Sequence, residues 1–420
     1  MQKQFTLKTT GFASDGAVCS EDNGKQFHIW DALPGETVSA HKLARKKGIV
    51  IATADEIITA SPERVMPEET HYLSCSPWQI LKPARELAAK LEIMRLICST
   101  NNLELEFEQE EDRDNYYGYR NKMEFSIYAN ESSYSLAFFK RNQRGKQEIS
   151  GCRLGSKAIT TAAQEILNYI NRLEFKGRAY KTVMLRSNSQ GEVLASLFCK
   201  EKADFPVPDF KSIKGFSVYY SEPKSPASVA TDLLYHQGAD TLSETLQGKE
   251  LEYDILSFFQ GNIAMFNSVL SDLKPLLAKG PYLDLFCGAG AISIALSEQI
   301  KQCVLVDNNA ANIEHARNNI RSNKLTGFSV REAQAEKLLE LVTPEVNLLL
   351  DPPRSGLHND LLQKIMREKP ANIYYLSCNP ETQIRDFAEL AQYYRVKFAK
   401  IYNFFPRTPH IESLIVLERK

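Results

Sequence analysis

The fold is decided by three stretches in the last third of the chain: Tyr282–Gly290 (YLDLFCGAG), Leu348–Gly356 (LLLDPPRSG) and Tyr375–Pro380 (YLSCNP). Each is an apolar run that ends abruptly at a glycine or polar turn. Buried parallel strands have this pattern, and open α/β folds bind their ligands at the carboxyl edge where such strands end. The three turns supply a glycine bend, a carboxylate and a thiol. A cofactor pocket, a polar anchor for a base and a nucleophile need those groups.

The region around these stretches alternates between helical and strand patterns. After about Ile255 the spacing of apolar residues predicts a helix over Asn262–Leu277, followed by strands and helices in turn. Such alternation predicts a doubly wound α/β sheet. The chain closes with two predicted antiparallel strands, Val396–Phe405 and Ile411–Glu418. A closing pair of this kind is unlike a plain nucleotide-binding dehydrogenase.

The length of the chain predicts more than one domain, because 420 residues exceed one ordinary core. Residues 1–65 carry short β-prone runs between turns, which is typical of a five-stranded OB-like barrel. Residues 70–254 predict a central α+β domain, and residues 255–420 carry the doubly wound sheet. The basic cluster His41–Gly48 (HKLARKKG) suits RNA contact and a solvated hairpin equally well.

Composition excludes several classes of protein. The net charge is −1, so any nucleic-acid site must come from local basic patches. The apolar stretches are too short for a membrane span, and the N-terminus has no hydrophobic signal core. The eight cysteines include no CxxC pair, so the spacing does not predict a zinc site. We expect a cytoplasmic monomer.

The glycine bend predicts a cofactor pocket. Gly288 and Gly290 lie between a strand and a helix, where glycine permits a tight bend and close approach of a ligand. Ser293 replaces the third glycine of a dinucleotide site, and Asp307 ends the next strand, where an acid holds ribose hydroxyls. The alternative is that Asp307 caps the helix that begins near Ala310.

The other two turns predict the reacting groups. Asp351 follows three leucines, and this apolar setting favours a specific partner for its carboxylate. Pro380 forces the residue before it into an extended conformation, so Cys378 should lie at the sheet edge beside the end of the Asp351 strand. Glu412, in the closing hairpin, is either an edge salt bridge or a general base with a raised pKa.

Taken together, the chain resembles the RNA uracil-C5 methyltransferases that make 5-methyluridine in tRNA or 23S rRNA. The likeness covers nearly the whole chain and rests on five ordered motifs. FFQGN (Phe258–Asn262) is similar to the family's FxQxN signature, DLFCGAG to its S-adenosylmethionine (SAM) loop, LLDPPRSG to its substrate-anchor strand, SCNP to its nucleophile motif and HIES to its base motif. Residues 1–65 resemble the TRAM domain, an RNA-binding OB-type barrel.

The resemblance implies a role for each matched position. Cys378 would attack uracil C6, and Glu412 would remove the C5 proton. Phe258 would stack on the flipped uracil. The tracts Tyr119–Lys122, which contains Arg120, and Lys140–Lys146 suit RNA binding, although both also suit ordinary surface. SAM would contact Gln260, Phe286, Gly288, Gly290, Asp307 and Asp351, and RNA would contact Phe258, Asp351 and Arg120.

The chain departs from this family at one place. Many TRAM-bearing relatives hold a [4Fe–4S] cluster on four cysteines. Cys75 stands where the CxxC pair begins and Cys152 matches the distant fourth cysteine, but Trp78 and Glu69 occupy the other two positions. Two thiols do not supply the usual four-thiolate set, so we predict no cluster and no other metal.

Two other functions fit parts of the pattern. An amino-group methyltransferase acting on nucleic acid uses a related Asp-Pro-Pro turn, usually followed by an aromatic residue, whereas here Arg354 follows. A non-catalytic RNA-binding or chaperone protein would not need Cys378 and Glu412. The predicted barrel favours 23S rRNA as the target, and tRNA is the alternative, since the missing cluster removes a feature common among rRNA enzymes.

Overall fold

The computed structural model describes residues 4–112, 114–226 and 228–420. Contacts divide the chain into two compact units. The first comprises the described parts of Met1–Met94, Arg113–Ala239 and Phe405–Pro409, and the second comprises those of Arg95–Asp112, Asp240–Phe404 and His410–Lys420. The predicted division into domains at 1–65, 70–254 and 255–420 stays a prediction. Among the described residues, no helix has the length and apolarity that a membrane crossing needs.

The secondary structure begins with strands and alternates with helices towards the end. The strands of the first unit are β1 (Gln4–Lys8), β2 (Val18–Asp22), β3 (Lys25–Trp30), β4 (Thr37–Lys46), β5 (Ile49–Thr59), β7 (Lys122–Ala129), β8 (Tyr134–Phe139), β9 (Lys146–Ile149), β10 (Tyr180–Ser187), β11 (Val193–Cys199), β12 (Gly215–Tyr220) and β13 (Asp232–Gly238). Strand β6 (Glu108–Glu110) belongs to the second unit. The second unit continues with β14 (Thr241–Leu246), β15 (Lys249–Asp254), β16 (Tyr282–Leu285), β17 (Cys303–Asp307), β18 (Phe328–Glu332), β19 (Asn347–Leu350), β20 (Asn372–Ser377), β21 (Tyr394–Tyr402) and β22 (Glu412–Arg419). The α-helices are α1 (Tyr72–Cys75), α2 (Pro83–Thr100), α3 (Lys157–Arg172), α4 (Ile263–Leu276), α5 (Ala291–Ala295), α6 (Ala310–Ser322), α7 (Asn359–Glu368) and α8 (Pro380–Leu390).

The first unit contains two sheets. Strands β1 to β5 pair in the order β1-β4-β5-β3-β2, in which only β3 and β5 are parallel. The segment is all-β as predicted, but two predicted strands are joined in the long β5, and β2 was missed. That the sheet is an OB-like, RNA-binding barrel stays a prediction. The basic cluster His41–Gly48 lies on β4 and the turn that leads into β5.

The second sheet of the first unit has seven strands in the order β13-β12-β11-β10-β7-β8-β9. Helix α3 packs its apolar face on this sheet through residues such as Ile159, Ile166 and Ile170, all of which are fully buried. Strands β7 and β8 form an antiparallel hairpin around the turn after Ala129. Helix α2 begins at Pro83, a position where proline is favoured because the first helical residue has no use for its N–H.

The second unit contains an eight-stranded sheet in the order β18-β17-β16-β19-β20-β22-β21-β6. The five strands β16 to β20 run parallel, and β22 is antiparallel to both of its neighbours, β20 and β21. The predicted doubly wound sheet and its antiparallel closing pair are therefore confirmed. The prediction missed β18, because this edge strand is largely exposed and lacks an apolar run, and it also missed α8, which begins directly at Pro380.

Register places the three decisive turns at one edge of this sheet. Leu285, the last residue of β16, pairs with Leu350, the last residue of β19, and Leu350 pairs with Tyr375 of β20. The residues that follow these strands therefore emerge side by side at the carboxyl edge. Open α/β sheets bind ligands at that edge.

Candidate active site

The turn after β16 is built by backbone conformations that favour glycine. Gly288 and Gly290 have φ angles of 55° and 85°. A Cβ on Gly290 would lie 2.5 Å from Ile294 Cδ1, whereas a Cβ on Gly288 would meet nothing closer than Phe258 O at 3.7 Å. Phe286 also has a positive φ, 65°, which is strained for an aromatic residue and typical of functional turns. Packing therefore requires glycine at 290, while position 288 leaves open space for a ligand.

Asp307 joins the turns that follow β16 and β17. Its Oδ2 accepts a hydrogen bond from the Gly288 N–H at 3.0 Å, and its Oδ1 accepts one from the Asn309 N–H at 2.8 Å. The alternative role as the helix cap belongs to Asn309, whose side chain accepts from Ala311 N and Asn312 N at the start of α6. The Asp307 carboxylate is thus held beside the glycine turn.

A cavity of about 330 Å³, including its open mouth, lies against this turn. Five of the predicted residues line it: Phe258, Gln260, Phe286, Gly288 and Asp351. Asp284, which the sequence analysis did not single out, also lines it. Its Oδ2 is buried and has no hydrogen-bond partner among the described residues, and burial raises its pKa to about 7. An unpartnered carboxylate oxygen facing a cavity fits a ligand with hydrogen-bond donors.

Asp351 has the specific partner that its apolar setting predicted. Gln260 Nε2 donates a hydrogen bond to Asp351 Oδ2 at 3.0 Å. Burial and the nearby Asp284 raise the pKa of Asp351 to about 7, and the hydrogen bond from Gln260 opposes this shift. The cavity therefore has acceptor groups for the amino and hydroxyl donors of SAM at Asp284 and Asp351, and the Asp307 carboxylate lies at the glycine turn beside it. These residues fit a bound SAM, which supplies an electrophilic methyl group.

Cys378 follows directly after β20, at the edge where β19 also ends. Asn379 is extended, with φ −133° and ψ 94°, as the following Pro380 predicted. The Asn379 side chain donates to Arg354 O at 2.6 Å, so the turn after β20 is tied to the turn after β19. This link holds the thiol beside the Asp351 strand.

Glu412 is brought to the same edge by the antiparallel pairing of β20 and β22. Ser377 pairs with Ser413. Because the strands are antiparallel, Cys378, which follows Ser377, and Glu412, which precedes Ser413, lie at the same end of the pair. Glu412 is only 3% exposed. Burial, and then the nearby Asp351 charge, raise its pKa well above the ordinary value, and Arg354 opposes this only in part. A carboxyl group with such a pKa suits proton transfer near neutral pH.

The same groups hold Cys378 in its thiol form. Burial, followed by the charges of Glu412 and Asp351, raises the pKa of Cys378 to about 11, and Arg354 lowers it. Only the thiolate is an effective nucleophile, so attack on a substrate requires that Cys378 lose its proton. Positive charge gained near the sulfur would favour that loss. Arg354 is a second residue that the sequence analysis did not assign to the site, although it stands directly after the Asp-Pro-Pro turn.

Two residues with predicted RNA contacts lie in different units. Phe258 is 59% exposed, which is unusual for a phenylalanine that lines a cavity. Arg120 lies in the first unit, where its guanidinium carbon is 6.0 Å from the Tyr119 ring centre and 5.9 Å from that of Phe405. Contact of either residue with RNA stays a prediction.

Comparison with known proteins agrees with the motifs. The tRNA (Uracil-5-)-methyltransferase family matches residues 84–420. An uncharacterized RNA methyltransferase of Bacillus cereus is 25% identical over 447 residues, covering 99% of this chain and 96% of that protein. One of Clostridium acetobutylicum is 24% identical over 455 residues, covering 100% and 98%.

A solved structure shows the same fold. The Pyrococcus abyssi tRNA (uracil-54, C5)-methyltransferase, in complex with S-adenosyl-L-homocysteine, superposes with a TM-score of 0.80 and 24% identity over 98% of this chain and 100% of that one. This superposition confirms the α/β fold class, and the family match confirms the resemblance and, with it, SAM as the methyl donor. The chain is an RNA methyltransferase that belongs to the tRNA (uracil-5-)-methyltransferase family.

Proposed function

We propose that the protein methylates C5 of a uridine in RNA through a covalent bond between Cys378 and uracil C6. The observation that carries this proposal is the register of β20 with β22, which sets a thiol and a buried carboxyl group at one strand end beside the SAM cavity. An amino-group methyltransferase needs neither the Cys378 thiol nor the Glu412 carboxyl group. Their placement together with Asp351 therefore favours carbon methylation.

The chemistry requires a nucleophile because uracil C5 is itself a poor one. The Cys378 sulfur, once it has lost its proton, bonds to C6, and the π electrons of the C5–C6 bond move into an enolate. Carbon C5 of this enolate takes up the methyl group that SAM supplies. Glu412 then accepts the C5 proton, the C5–C6 double bond re-forms, and the S–C6 bond breaks to return the thiolate.

Charge at the site matches these steps. Burial, followed by the charges of Glu412 and Asp351, raises the pKa of Cys378, whereas Arg354 lowers it. Hydrogen bonds from a bound uracil that neutralise either carboxylate would therefore favour the thiolate form of Cys378. The exposed ring of Phe258 is suited to stacking on a base that has left its helix, since base and ring each present a flat apolar face.

The proposed target is 23S rRNA, on the basis of the likeness between the sequence of residues 1–65 and the TRAM domain. A tRNA is the second candidate, because the Pyrococcus abyssi protein of the same fold is named for uracil 54 of tRNA. Mapping 5-methyluridine in both RNAs from cells with and without the gene separates the two.

The reaction is tested by transfer of a labelled methyl group from SAM to RNA, followed by nucleoside analysis. Cys378→Ala should abolish formation of 5-methyluridine. Cys98→Ala, which removes a buried thiol from helix α2, should leave it unchanged. Unaltered transfer by Cys378→Ala, or a product methylated on an amino group, would contradict the proposal.

A further inference from the structure

Four potential metal ligands meet in the first unit, among residues that the methyl-transfer chemistry does not use. Glu69, His71, Cys75 and Cys152 each place one ligand atom within 4.8 Å of the other three. The first three lie on the segment between β5 and α2, and Cys152 lies on the turn before α3. A bound ion would therefore link two distant parts of the chain.

One imidazole nitrogen of the cluster makes no hydrogen bond with any residue that the structure describes. His71 is buried, and its Nε2 makes no hydrogen bond among the described residues, although it lies 3.4 Å from Glu69 Oε1. Cys152 is buried and Cys75 is half-buried, and both are free thiols. A buried polar atom without a partner is costly unless something else satisfies it. A cation between the nitrogen, the carboxylate and the two sulfur atoms would do so.

A second layer of hydrogen bonds holds the ligands in place. Glu69 Oε1 accepts from the Arg153 N–H at 2.7 Å, and Glu69 Oε2 accepts from Gln79 Nε2 at 2.8 Å. The same amide donates to Ser76 Oγ at 2.7 Å, and that hydroxyl lies 3.0 Å from Cys75 Sγ. Gln79 and Ser76 are fully buried. Metal sites characteristically orient their ligands through such outer contacts.

We propose that Glu69, His71, Cys75 and Cys152 bind one Zn²⁺ ion as a closed, four-coordinate structural site. Two thiolates, an imidazole and a carboxylate form a donor set that zinc accepts in tetrahedral geometry. The ligand atoms of such a site are about 3.3–3.8 Å apart, so a closure of about 1 Å by these side chains completes it. All four positions are filled by protein, which leaves none for catalysis.

This proposal revises the expectation of no metal. That expectation rested on two thiols standing where a cluster needs four. His71, which has no counterpart in the four-cysteine set, and Glu69 add the two further ligands. The expectation that no [4Fe–4S] cluster forms is unaffected, because two thiolates still cannot hold one in the usual way.

The test uses the full chain, stripped of metal by a chelator under reducing conditions. Zn²⁺ is titrated in competition with a chromophoric chelator, and Co²⁺ is then substituted to reveal the thiolate-to-metal absorption band. We expect one Zn²⁺ per chain and a clear Co²⁺–thiolate band. Cys152→Ser should lower the Zn²⁺ affinity by more than about 100-fold and weaken the band, since serine is a poor zinc ligand. Cys199→Ser, which changes a buried thiol of β11 in the same unit, should bind like the unchanged protein.

Glu69→Gln is a second test that does not depend on the folding of a cysteine variant. It keeps the size of the side chain and should weaken Zn²⁺ binding by at least tenfold, while circular dichroism stays unchanged. The proposal fails if the stripped chain takes up no stoichiometric Zn²⁺, or if Cys152→Ser binds Zn²⁺ as tightly as the unchanged protein. It also fails if the purified chain carries iron with acid-labile sulfide. None of these readouts depends on methyl transfer.

Discussion

Gln260 Nε2 donates a hydrogen bond to Asp351 Oδ2 across 3.0 Å, and so joins the residues before α4 to the end of β19. Burial and the nearby Asp284 carboxylate raise the pKa of Asp351, while Gln260 opposes that shift. One amide therefore fixes the position and the charge of an acid that lines the cofactor cavity.

Gln260→Ala should weaken binding of S-adenosyl-L-homocysteine about tenfold. A buried acceptor that loses its donor costs about 1–3 kcal/mol, and here the loss falls on a group facing the ligand. Isothermal titration calorimetry measures the effect. Gln392→Ala, the same change at an exposed position, should bind normally. Equal affinities for both variants would show that the Gln260–Asp351 pair is not part of the cofactor site.

The two glycines of the turn after β16 should respond differently to alanine. Gly290→Ala should destabilise the second unit by about 2–4 kcal/mol, because the new Cβ meets Ile294 and the φ angle is left-handed. Gly288→Ala has only the cost of the left-handed conformation, about 1–2 kcal/mol. Thermal unfolding compares the two, and a larger loss of stability for Gly288→Ala would contradict this view of the turn.

Alkylation of Cys378 should accelerate with pH up to about pH 11. Its pKa is raised, so the thiolate, which is the reactive form, is scarce at neutral pH and increases about tenfold with each pH unit below the pKa. Glu412→Gln removes a negative charge and should speed alkylation at pH 8.5, whereas Arg354→Gln should slow it. Mass spectrometry of the Cys378 peptide after iodoacetamide treatment gives the rates. A midpoint below pH 8.5 would refute the electrostatic argument.

Glu412→Gln should also separate methylation from release. Without a base the methylated adduct keeps its C5 proton, so the S–C6 bond cannot break. We expect turnover to fall about 10²–10⁴-fold, while up to one methyl group per enzyme is incorporated into RNA that stays bound to protein. Gel electrophoresis under denaturing conditions detects this complex. Normal turnover by the variant would assign the base to another residue.

The sequence predicted the parts of the second unit that depend on strong local patterns. The three apolar runs with abrupt ends gave the parallel strands β16, β19 and β20, and the proline after Asn379 gave the geometry of that turn. Strand β18 was missed because an exposed edge strand need not carry an apolar run. Asp284 was overlooked because it stands inside the strand, where a single polar residue gives no sign of facing a cavity.

Clusters made by distant segments were beyond sequence reasoning. Glu69, His71 and Cys75 are close in sequence, but their approach to Cys152 depends on how the segment before α2 meets the turn before α3. The pairing of Ser377 with Ser413, which brings Glu412 to Cys378, likewise depends on register between strands far apart in the chain. Motif resemblance suggested the roles of these two residues, and only the folded chain sets their surroundings.

The claim on which the account depends is that sulfur bonds to the pyrimidine ring before methylation. The most direct measurement incubates the protein and SAM with RNA in which 5-fluorouridine replaces uridine, since fluorine at C5 cannot leave as a proton does. The account predicts a complex that survives denaturation and a peptide in which Cys378 carries the methylated nucleotide. An enzyme that turns over ordinary RNA but forms no such complex with the substituted RNA would contradict it.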